Sequence, residues 1–488
     1  MTLVRPLALP LMIGCLAASA QVPKTWHRAA LEAMQVPLAD PRYTPVHVGA
    51  EYYYKIPVLP IYKSYPVYLP GREPGGYEEW LKHQEPQIAF DPAKLKTGAD
   101  WIRAGELVFD APFRFSPYTA ESFERRYVRV HRQQKLPETS DGSIPYYRIV
   151  IRKRGVLELG SRSCGSCHTR IQPDGTVIKG AQGTFPNVSL GFVNTPEGPQ
   201  AFSRFLYATP WISSDPLQPL LMMSKEQITA IHEAIPPGVI ARAGTSPFSP
   251  TQVPDLIGIR DRRYLDHTGL QRHTGPGDIM RYAALNQGAA ELASFGTFVP
   301  VTIRSGKSIL PPPEEDTRYS DEQLYALALN LYSLQPPPNP NKPDAKSRLG
   351  EIVFRREGCP ICHTPPLYTN NKLTPASGFR VPAEHKTRYD ILPVVVGTDP
   401  VLATATRRGT GYYKVPSLKG VWYRGPFEHR GSVKTLEDWF DSARLRPDYV
   451  PTGFVGYGVK TRAVEGHEFG LKLSSEDKTA LIAFLKTL

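Results

Sequence analysis

Two copies of a Cys-x-x-Cys-His pentad constrain this chain more than any other feature of its sequence. They occupy residues 164–168 and 359–363 and contain four of the five cysteines. In each pentad, two thiols are spaced to add across the vinyl groups of a haem, and a histidine is placed to ligate its iron. We therefore predict two covalently bound haem c groups. The predicted attachment and iron-binding residues are Cys164, Cys167, His168, Cys359, Cys362 and His363.

Two other chemistries use a Cys-x-x-Cys pair, namely a zinc site and a redox disulfide. In either of these, the histidine that follows the second cysteine would be accidental. The whole pentad occurs twice, and no unpaired cysteine is present after residue 20. The repetition therefore favours haem over both alternatives.

Residues 1–20 are predicted to be an export signal. Arg5 precedes an apolar run at 7–16 that is too short to span a bilayer, and small residues at 18–20 form a cleavage site. A lipoprotein site at Cys15 is the alternative. No later segment is apolar for long enough to predict a transmembrane helix. We therefore expect a periplasmic or secreted protein, which agrees with haem attachment outside the bacterial cytoplasm.

The mature chain is longer than one hydrophobic core usually organises, and its 50 prolines indicate extensive loops. The proline-rich run at 336–341 is a stiff connector and marks the predicted domain boundary. We expect a Pro- and Tyr-rich extension at 21–95, a first haem domain at 96–340 and a second haem domain at 341–488.

The predicted fold is mainly α, with two cytochrome c-type haem domains, extensive irregular loops and a few short β-hairpins. Apolar residues at helical spacing predict helices at 97–109, 320–334 and 345–354, and a last helix that begins at Ser474 or Ser475. Alternating residues over 146–159 predict a hairpin.

Methionine content limits the axial ligands of the second haem. All six methionines lie at or before residue 280, so the second domain cannot supply a His/Met pair. Its candidates are His385, His429 and His467, or a tyrosine or lysine. We expect His385 to lie on the surface because it belongs to a basic stretch. His429 and His467 lie in loops with nearby glycines, where a hydrogen-bonded structural histidine is the alternative.

The runs at 411–422 and 425–437 resemble the carboxy-terminal haem domain of the bacterial di-haem cytochrome c peroxidase superfamily, and the resemblance covers most of residues 345–488. In the peroxidases, a methionine beyond the turn histidine ligates the electron-transfer haem, whereas Ala443 is at that position here. The chain resembles instead the rubber-oxygenase branch, in which a histidine near the carboxy terminus is the ligand. This resemblance implies His467 as the ligand, with His429 as a structural or inter-haem residue and the alternative ligand.

A weaker resemblance concerns the far side of the first haem. Residues 255–267 and 281–285 are similar to the region that forms the distal pocket in the rubber oxygenases. The resemblance makes Tyr264, His267 and His273 catalytic candidates there, because a distal polar group would polarise a bound peroxide. A packing or surface role is the alternative for each. Residues after His168 offer several further histidines and methionines as a sixth ligand, and the sequence does not choose among them.

The formal net charge is +12, and residues 341–488 contribute 23 Lys and Arg against 15 Asp and Glu. A basic face there would steer an acidic cytochrome or cupredoxin to the second haem, although a solvated basic surface explains the excess equally well. We expect a small-molecule oxidant and no nucleic acid as partners. A bridging calcium cannot be read from the sequence.

The leading interpretation is an exported di-haem c-type cytochrome that acts as an oxidoreductase. In it, the C-terminal haem transfers or stores electrons and the N-terminal haem binds peroxide or dioxygen. One alternative is a haem dioxygenase that cleaves an olefinic substrate, for which the short mature chain disfavours a polymer. The other is a non-catalytic electron-transfer cytochrome.

Overall fold

The computed structural model describes residues 22–186, 222–241, 245, 247–287, 292–297 and 312–488. The predicted export signal and its cleavage site lie outside these residues. Within the described ranges, no helix is both long enough and apolar enough to cross a membrane.

Helices account for most of the regular structure, and most of them are short. In chain order they are α1 (Arg28–Met34), α2 (Ala50–Lys55), α3 (Tyr77–Lys82), α4 (Gly98–Asp110), α5 (Ala120–Phe123), α6 (Arg129–Gln133), α7 (Cys164–Cys167), α8 (Lys225–Glu233), α9 (Pro276–Gln287), α10 (Asp321–Ser333), α11 (Ala345–Arg356), α12 (His385–Arg388), α13 (Val401–Thr404), α14 (Leu436–Trp439) and α15 (Ser475–Lys486).

The strands form small antiparallel sheets. They are β1 (Pro45–His47), β2 (Ser64–Tyr68), β3 (Arg114–Pro117), β4 (Ser143–Lys153), β5 (Val156–Ser161), β6 (Thr169–Ile171), β7 (Val177–Lys179), β8 (Val239–Ile240), β9 (Thr251–Gln252), β10 (Tyr264–Leu265), β11 (Gln271–Arg272), β12 (Ala293–Phe295), β13 (Leu373–Pro375) and β14 (Tyr412–Lys414). The two-stranded pairs are β1–β12, β6–β7, β8–β9, β10–β11 and β13–β14. Helices with short hairpins were predicted, and these elements agree with that description.

Side-chain caps fix where the longer helices begin. Thr97, Ser320 and Asp344 each accept a hydrogen bond from the third residue of α4, α10 and α11, whose own side chain returns the contact in a capping box. Ser474 accepts a hydrogen bond from the backbone N–H of Asp477 at the start of α15. The four helices predicted at 97–109, 320–334, 345–354 and from Ser474 or Ser475 are confirmed to within two residues at their amino ends.

The predicted hairpin at 146–159 is confirmed as β4 and β5, and it is part of a larger sheet. The strand order is β2-β4-β5-β3, with Ile149 opposite Leu159 and Val150 opposite Glu158. Buried aliphatic and aromatic side chains on this sheet form a hydrophobic core with Phe123 and Val128. The strand β5 leads almost directly into the first pentad, so the sheet positions that pentad.

Two helix pairs cross at very short distances, and each crossing is made at a glycine. A Cβ added to Gly105 in α4 would lie 2.0 Å from the carbonyl oxygen of Ala326 in α10. A Cβ added to Gly350 in α11 would lie 1.9 Å from the carbonyl oxygen of Ala480 in α15. Only glycine permits such an approach, because any side chain would displace the neighbouring backbone. Along the chain, the pentad at 164–168 lies between the two helices of the first pair, and the pentad at 359–363 lies between the two helices of the second pair.

Residues 334–344, which include the proline-rich run, form neither helix nor strand between α10 and α11. The second pentad follows α11 after a turn at Gly358, whose φ of 71° is in the left-handed region. After this turn, Cys359 packs against the hydrophobic core that contains Phe354 of α11 and Leu481 of α15.

We expect Gly105→Ala to lower the free energy of unfolding by about 1–3 kcal/mol, because the added methyl group overpacks the crossing of α4 and α10. Gly98→Ala is the matched control, since it lies in the same helix and a Cβ added there would have no atom within 4 Å. The control is expected to be neutral or slightly stabilising. Urea unfolding of both variants measures the difference, and equal stabilities would contradict a close helix crossing.

Candidate functional site

In both pentad histidines, Nδ1 lies at hydrogen-bond distance from a proline carbonyl, and Nδ1 of His363 is also 3.2 Å from the carbonyl oxygen of Tyr368. The Nδ1 atom of His168 lies 3.0 Å from the carbonyl oxygen of Pro254, and Nδ1 of His363 lies 3.2 Å from that of Pro416. A carbonyl oxygen only accepts, so each Nδ1 carries the proton and Nε2 has the lone pair that a metal requires. Each imidazole is therefore oriented as metal-bound histidines usually are, through a backbone contact of its second nitrogen.

The second pentad opens onto a cavity of about 320 Å³. Cys359, Cys362, His363 and His467 all line it. Most of the remaining wall is apolar, from α11, α14, α15 and the loops between them. This part of the wall includes Phe354, Val415, Leu418, Val421, Phe427, Leu436, Trp439, Phe440, Phe469, Leu481 and Leu485.

Within this cavity, the ring centres of His363 and His467 are 6.3 Å apart. Metal–imidazole bonds are about 2.0 Å long, so two imidazoles on opposite sides of one metal ion have ring centres about 6 Å apart. Nδ1 of His467 is buried and has no hydrogen-bond partner in the described part of the chain. Burial lowers the pKa of His363 to about 4 and that of His467 to about 3, which keeps both imidazoles in the neutral, metal-binding form.

Burial favours the neutral form of three of the pentad thiols, because it raises the pKa of Cys164, Cys359 and Cys362. Burial raises the pKa of Cys164 to about 12 and that of Cys359 to about 11. Zinc and redox chemistry use the thiolate, which these surroundings disfavour. Within the described residues, no group of three or more His, Cys, Asp or Glu side chains is arranged to hold a metal ion.

The two proline carbonyls belong to a repeated segment that sequence analysis missed. Residues 253–269 and 415–431 share Val, Pro, Leu, Gly, Arg, His and Gly at matching positions. The backbone conformations also match: φ is 74° at both Gly258 and Gly420, and 69° at both Asp266 and Glu428. Non-glycine residues rarely adopt such angles, so the agreement indicates that the two loops have the same structure. Comparison of the chain with itself would have found the repeat.

The two loops exchange backbone hydrogen bonds with each other's flanking residues. The N–H of Gln252 donates to the carbonyl of His429 at 2.8 Å, and the N–H of Lys414 donates to the carbonyl of His267 at 2.9 Å. Gln252 and Lys414 precede the two loops at equivalent positions. The contact is therefore approximately two-fold symmetric, and it holds the two proline carbonyls in a fixed relation.

Amide side chains that follow each pentad extend this exchange. Gln182 binds the backbone at 425–426, donating to a carbonyl at 2.8 Å and accepting from an N–H at 3.1 Å. Asn371 donates to the carbonyl of Asp261 at 2.9 Å and accepts from the N–H of Arg263 at 3.2 Å. Each pentad region therefore binds the loop that supports the other pentad.

Three basic side chains line the part of the cavity where the loops meet, and Arg262 and Arg424 are the charged pair among them. Burial, together with the nearby charges of Arg262 and Arg424, lowers the pKa of Lys414 to about 7. The carboxylate of Asp255 partly offsets this charge, because its Oδ2 atom lies 3.9 Å from Nε of Arg424. That Nε is buried without a hydrogen-bond partner among the described residues. An anionic group in this part of the cavity would be stabilised by the excess positive charge.

The three predicted catalytic candidates do not converge on one point. Tyr264 and His267 line the cavity of the second pentad, whereas His273 lies away from it and bonds the carbonyl of Arg262 and the hydroxyl of Tyr332. Nε2 of His267 lies 2.7 Å from the carbonyl of Gln252, and burial lowers the pKa of His267 to about 4. The hydroxyl of Tyr264 donates to Asp390 at 3.2 Å. Their role at the first haem stays a prediction.

The alternative ligand His429 also lines the cavity, but its ring nitrogens already have neighbours. Nδ1 lies 2.6 Å from Glu428 and Nε2 lies 3.3 Å from the hydroxyl of Tyr413, whose ring stacks on the imidazole. The expected surface position of His385 is wrong. Its side chain is buried, and Nδ1 lies 2.9 Å from the hydroxyl of Tyr412, because α12 packs against β14.

A buried ion pair fixes the first loop where it turns. Asp266 and Arg408 are both more than nine-tenths buried, and Asp266 also accepts a hydrogen bond from Tyr282 at 2.8 Å. Burial alone would lower the pKa of Arg408, but Asp266 and Tyr282 raise it above its usual value. The pair joins residues from the two predicted domains, directly beside His267.

No protein-family model matches this chain. No curated protein matches it. Among solved structures, Kuenenia stuttgartiensis hydrazine synthase, pressurised with 20 bar xenon, is similar over 59% of this chain and 86% of that chain, with 15% identity and a TM-score of 0.29. A MauG-like protein associated with microbial copper homeostasis is similar over 34% of this chain and 56% of that chain, with 16% identity and a TM-score of 0.23. At these TM-scores, neither similarity supports an argument about fold or activity.

We expect Asp266→Asn to lower the free energy of unfolding by about 3–5 kcal/mol, because it leaves the buried charge of Arg408 without a counter-ion. Asparagine has the same shape and tolerates a positive φ, so the loop backbone itself is not perturbed. Asp448→Asn is the control, since its pair with Arg446 is exposed and should contribute less than about 1 kcal/mol. Urea unfolding that gave the two variants equal stability would contradict the buried pair.

Proposed function

We propose that this chain is a di-haem c-type oxidoreductase, with electron transfer or storage at the His363 site and binding of peroxide or dioxygen at the His168 site. A haem c at each pentad would supply an iron that exchanges single electrons. The resemblance of residues 345–488 to the di-haem cytochrome c peroxidase superfamily, and to its rubber-oxygenase branch, belongs to this proposal.

The observation that carries the proposal is the position of His467 opposite His363. Their ring centres are separated by 6.3 Å in an apolar cavity that both thiols of the second pentad also line. The unpaired Nδ1 of His467 supports ligation, since a buried ring nitrogen left without a hydrogen bond costs about 1–3 kcal/mol. Iron with two histidine ligands has no open position, so we assign electron transfer rather than oxidant binding to this site.

The cations at the meeting point of the loops also fit a haem. Each haem has two propionate groups. Arg262 and Arg424 offer the positive charge that carboxylates require, and a propionate nearby would favour the protonated form of Lys414. The neighbouring apolar walls suit the macrocycle. The chain thus provides thiols, imidazoles, apolar surface and counter-charges in one cavity.

At the His168 site, the proposal rests on the equivalence of the two loops. Pro254 holds His168 as Pro416 holds His363, so the same ligating orientation is available at both pentads. Electron transfer is already assigned to the His363 site, where His363 and His467 would both bind the iron. We therefore assign the binding of a small oxidant to this site.

Two haem groups per chain are expected in the purified protein, measured as the pyridine haemochrome absorbance against protein mass. Cys359→Ser with Cys362→Ser should leave one haem, because both thioether bonds of the second site are lost. Cys164→Ser with Cys167→Ser is the reciprocal variant and should also leave one. A wild-type protein without covalent haem would overturn the proposal.

Electron paramagnetic resonance of the oxidised protein should show one low-spin haem and one haem whose iron has an exchangeable ligand position. His467→Ala should open the second site, so that its low-spin signal is lost and cyanide or carbon monoxide binds there. His385→Ala is the control, because this buried histidine lies outside the cavity, and His429→Ala tests the alternative ligand.

The same spectra separate the competing functions. Two low-spin haems in the wild type that ignore peroxide, cyanide and carbon monoxide would replace the oxidoreductase proposal with plain electron transfer. A stable dioxygen complex at the first site, with turnover of an olefin, would favour the oxygenase. Loss of the low-spin signal in His429→Ala but not in His467→Ala would move the ligand to His429.

A further inference from the structure

Arg444 has an unusual environment for a charged side chain. It is completely buried at 0% exposure, and its side-chain hydrogen bonds to the described residues go to backbone carbonyls rather than to a carboxylate. Burial lowers the pKa of its guanidinium, and Glu468 and Tyr449 oppose that shift. A buried charge without a counter-ion persists only where dipoles replace the lost water, so its partners identify its role.

Those partners are three backbone carbonyls, one of which belongs to His467. Nη2 donates to the carbonyl of His467 at 2.9 Å, Nη1 to that of Val464 at 2.6 Å, and Nε to that of Trp439 at 2.9 Å. The guanidinium also lies over the ring of Trp439, 4.8 Å from its centre. In the reverse direction, the N–H of Val464 donates to the carbonyl of Arg444 at 2.6 Å.

The loop that Arg444 binds does not adopt its conformation by local preference. His467 has a φ of 48°, in the left-handed region that non-glycine residues seldom occupy. Its N–H donates to the carbonyl of Val396 at 2.6 Å, and a Cβ on the preceding Gly466 would lie 2.2 Å from the backbone nitrogen of Thr398. The loop is therefore pressed against residues 396–398 on one side and bound by Arg444 on the other.

We infer that Arg444 is a positioning residue for His467, fixing the loop carbonyls so that the imidazole faces His363 across the cavity. The inference rests on the proposed function, because it presupposes that His467 ligates the second haem. A planar guanidinium with five donors can bind three carbonyls at fixed angles, which a lysine ammonium on a flexible stem cannot reproduce. Trp439 and Phe469, each with its ring 5.3 Å from that of His467, limit rotation of the imidazole.

The test compares Arg444→Gln and Arg444→Lys with Arg446→Gln, whose arginine is exposed and paired with Asp448. The readout is the low-spin signal of the second haem in the oxidised holoprotein, recorded with and without added imidazole. We expect Arg444→Gln to lose the low-spin signal and imidazole to restore it, because the ligand loop is released while the pocket stays accessible. Arg444→Lys should lose part of the signal, and Arg446→Gln should retain all of it.

The outcomes distinguish the inference from the function on which it rests. His467→Ala is measured in parallel. If it becomes high-spin while both Arg444 variants stay low-spin without imidazole, Arg444 does not position the ligand. If His467→Ala itself stays low-spin, the ligand assignment fails instead. Should Arg444→Gln not accumulate with both haems, Arg444→Lys, which keeps the charge, decides the question by the same signal.

Discussion

The exchange of backbone hydrogen bonds between the loops at 253–269 and 415–431 is the contact on which the site depends. Each loop places a proline carbonyl against one pentad histidine, and each is held by the residue that precedes the other loop. The exchange therefore fixes the two loops, and the proline carbonyls they present, relative to each other. Because backbone groups make these bonds, the arrangement tolerates different side chains at equivalent positions, such as Gln252 and Lys414.

The helix pairs around the two pentads are also alike. Gly105 and Gly350 allow α4 to cross α10 and α11 to cross α15 at backbone contact distance, on either side of the two pentads. These crossings support two similar frameworks. The two frameworks differ from each other at a few positions. His467 lies opposite only one of the pentad histidines, and the basic Lys414 takes on one side of the loop contact the place that the neutral Gln252 has on the other. Two similar frameworks can therefore support unequal chemistry.

Local signals predicted local structure well. The caps at Ser320 and Asp344 define the starts of their helices because a cap and its helix are adjacent in sequence. His385 was misjudged, since its basic neighbours suggested exposure whereas α12 packs its ring against β14. The sequence did not predict the role of Arg444, because nothing in the residues around an arginine shows whether its side chain is buried against backbone carbonyls or exposed on the surface. The loop repeat was present in the sequence but divergent at most of its positions.

The sequence by itself determined the two pentads, the helices that flank them and the lack of any methionine after residue 280, because each depends on residue identity or short-range spacing. Only the tertiary structure decided that His467 lies beside His363, that the two loops bind each other and that three basic side chains meet between them. These relations join residues far apart in the chain. Long-range packing sets them, and no local pattern encodes which distant backbone will supply the contact.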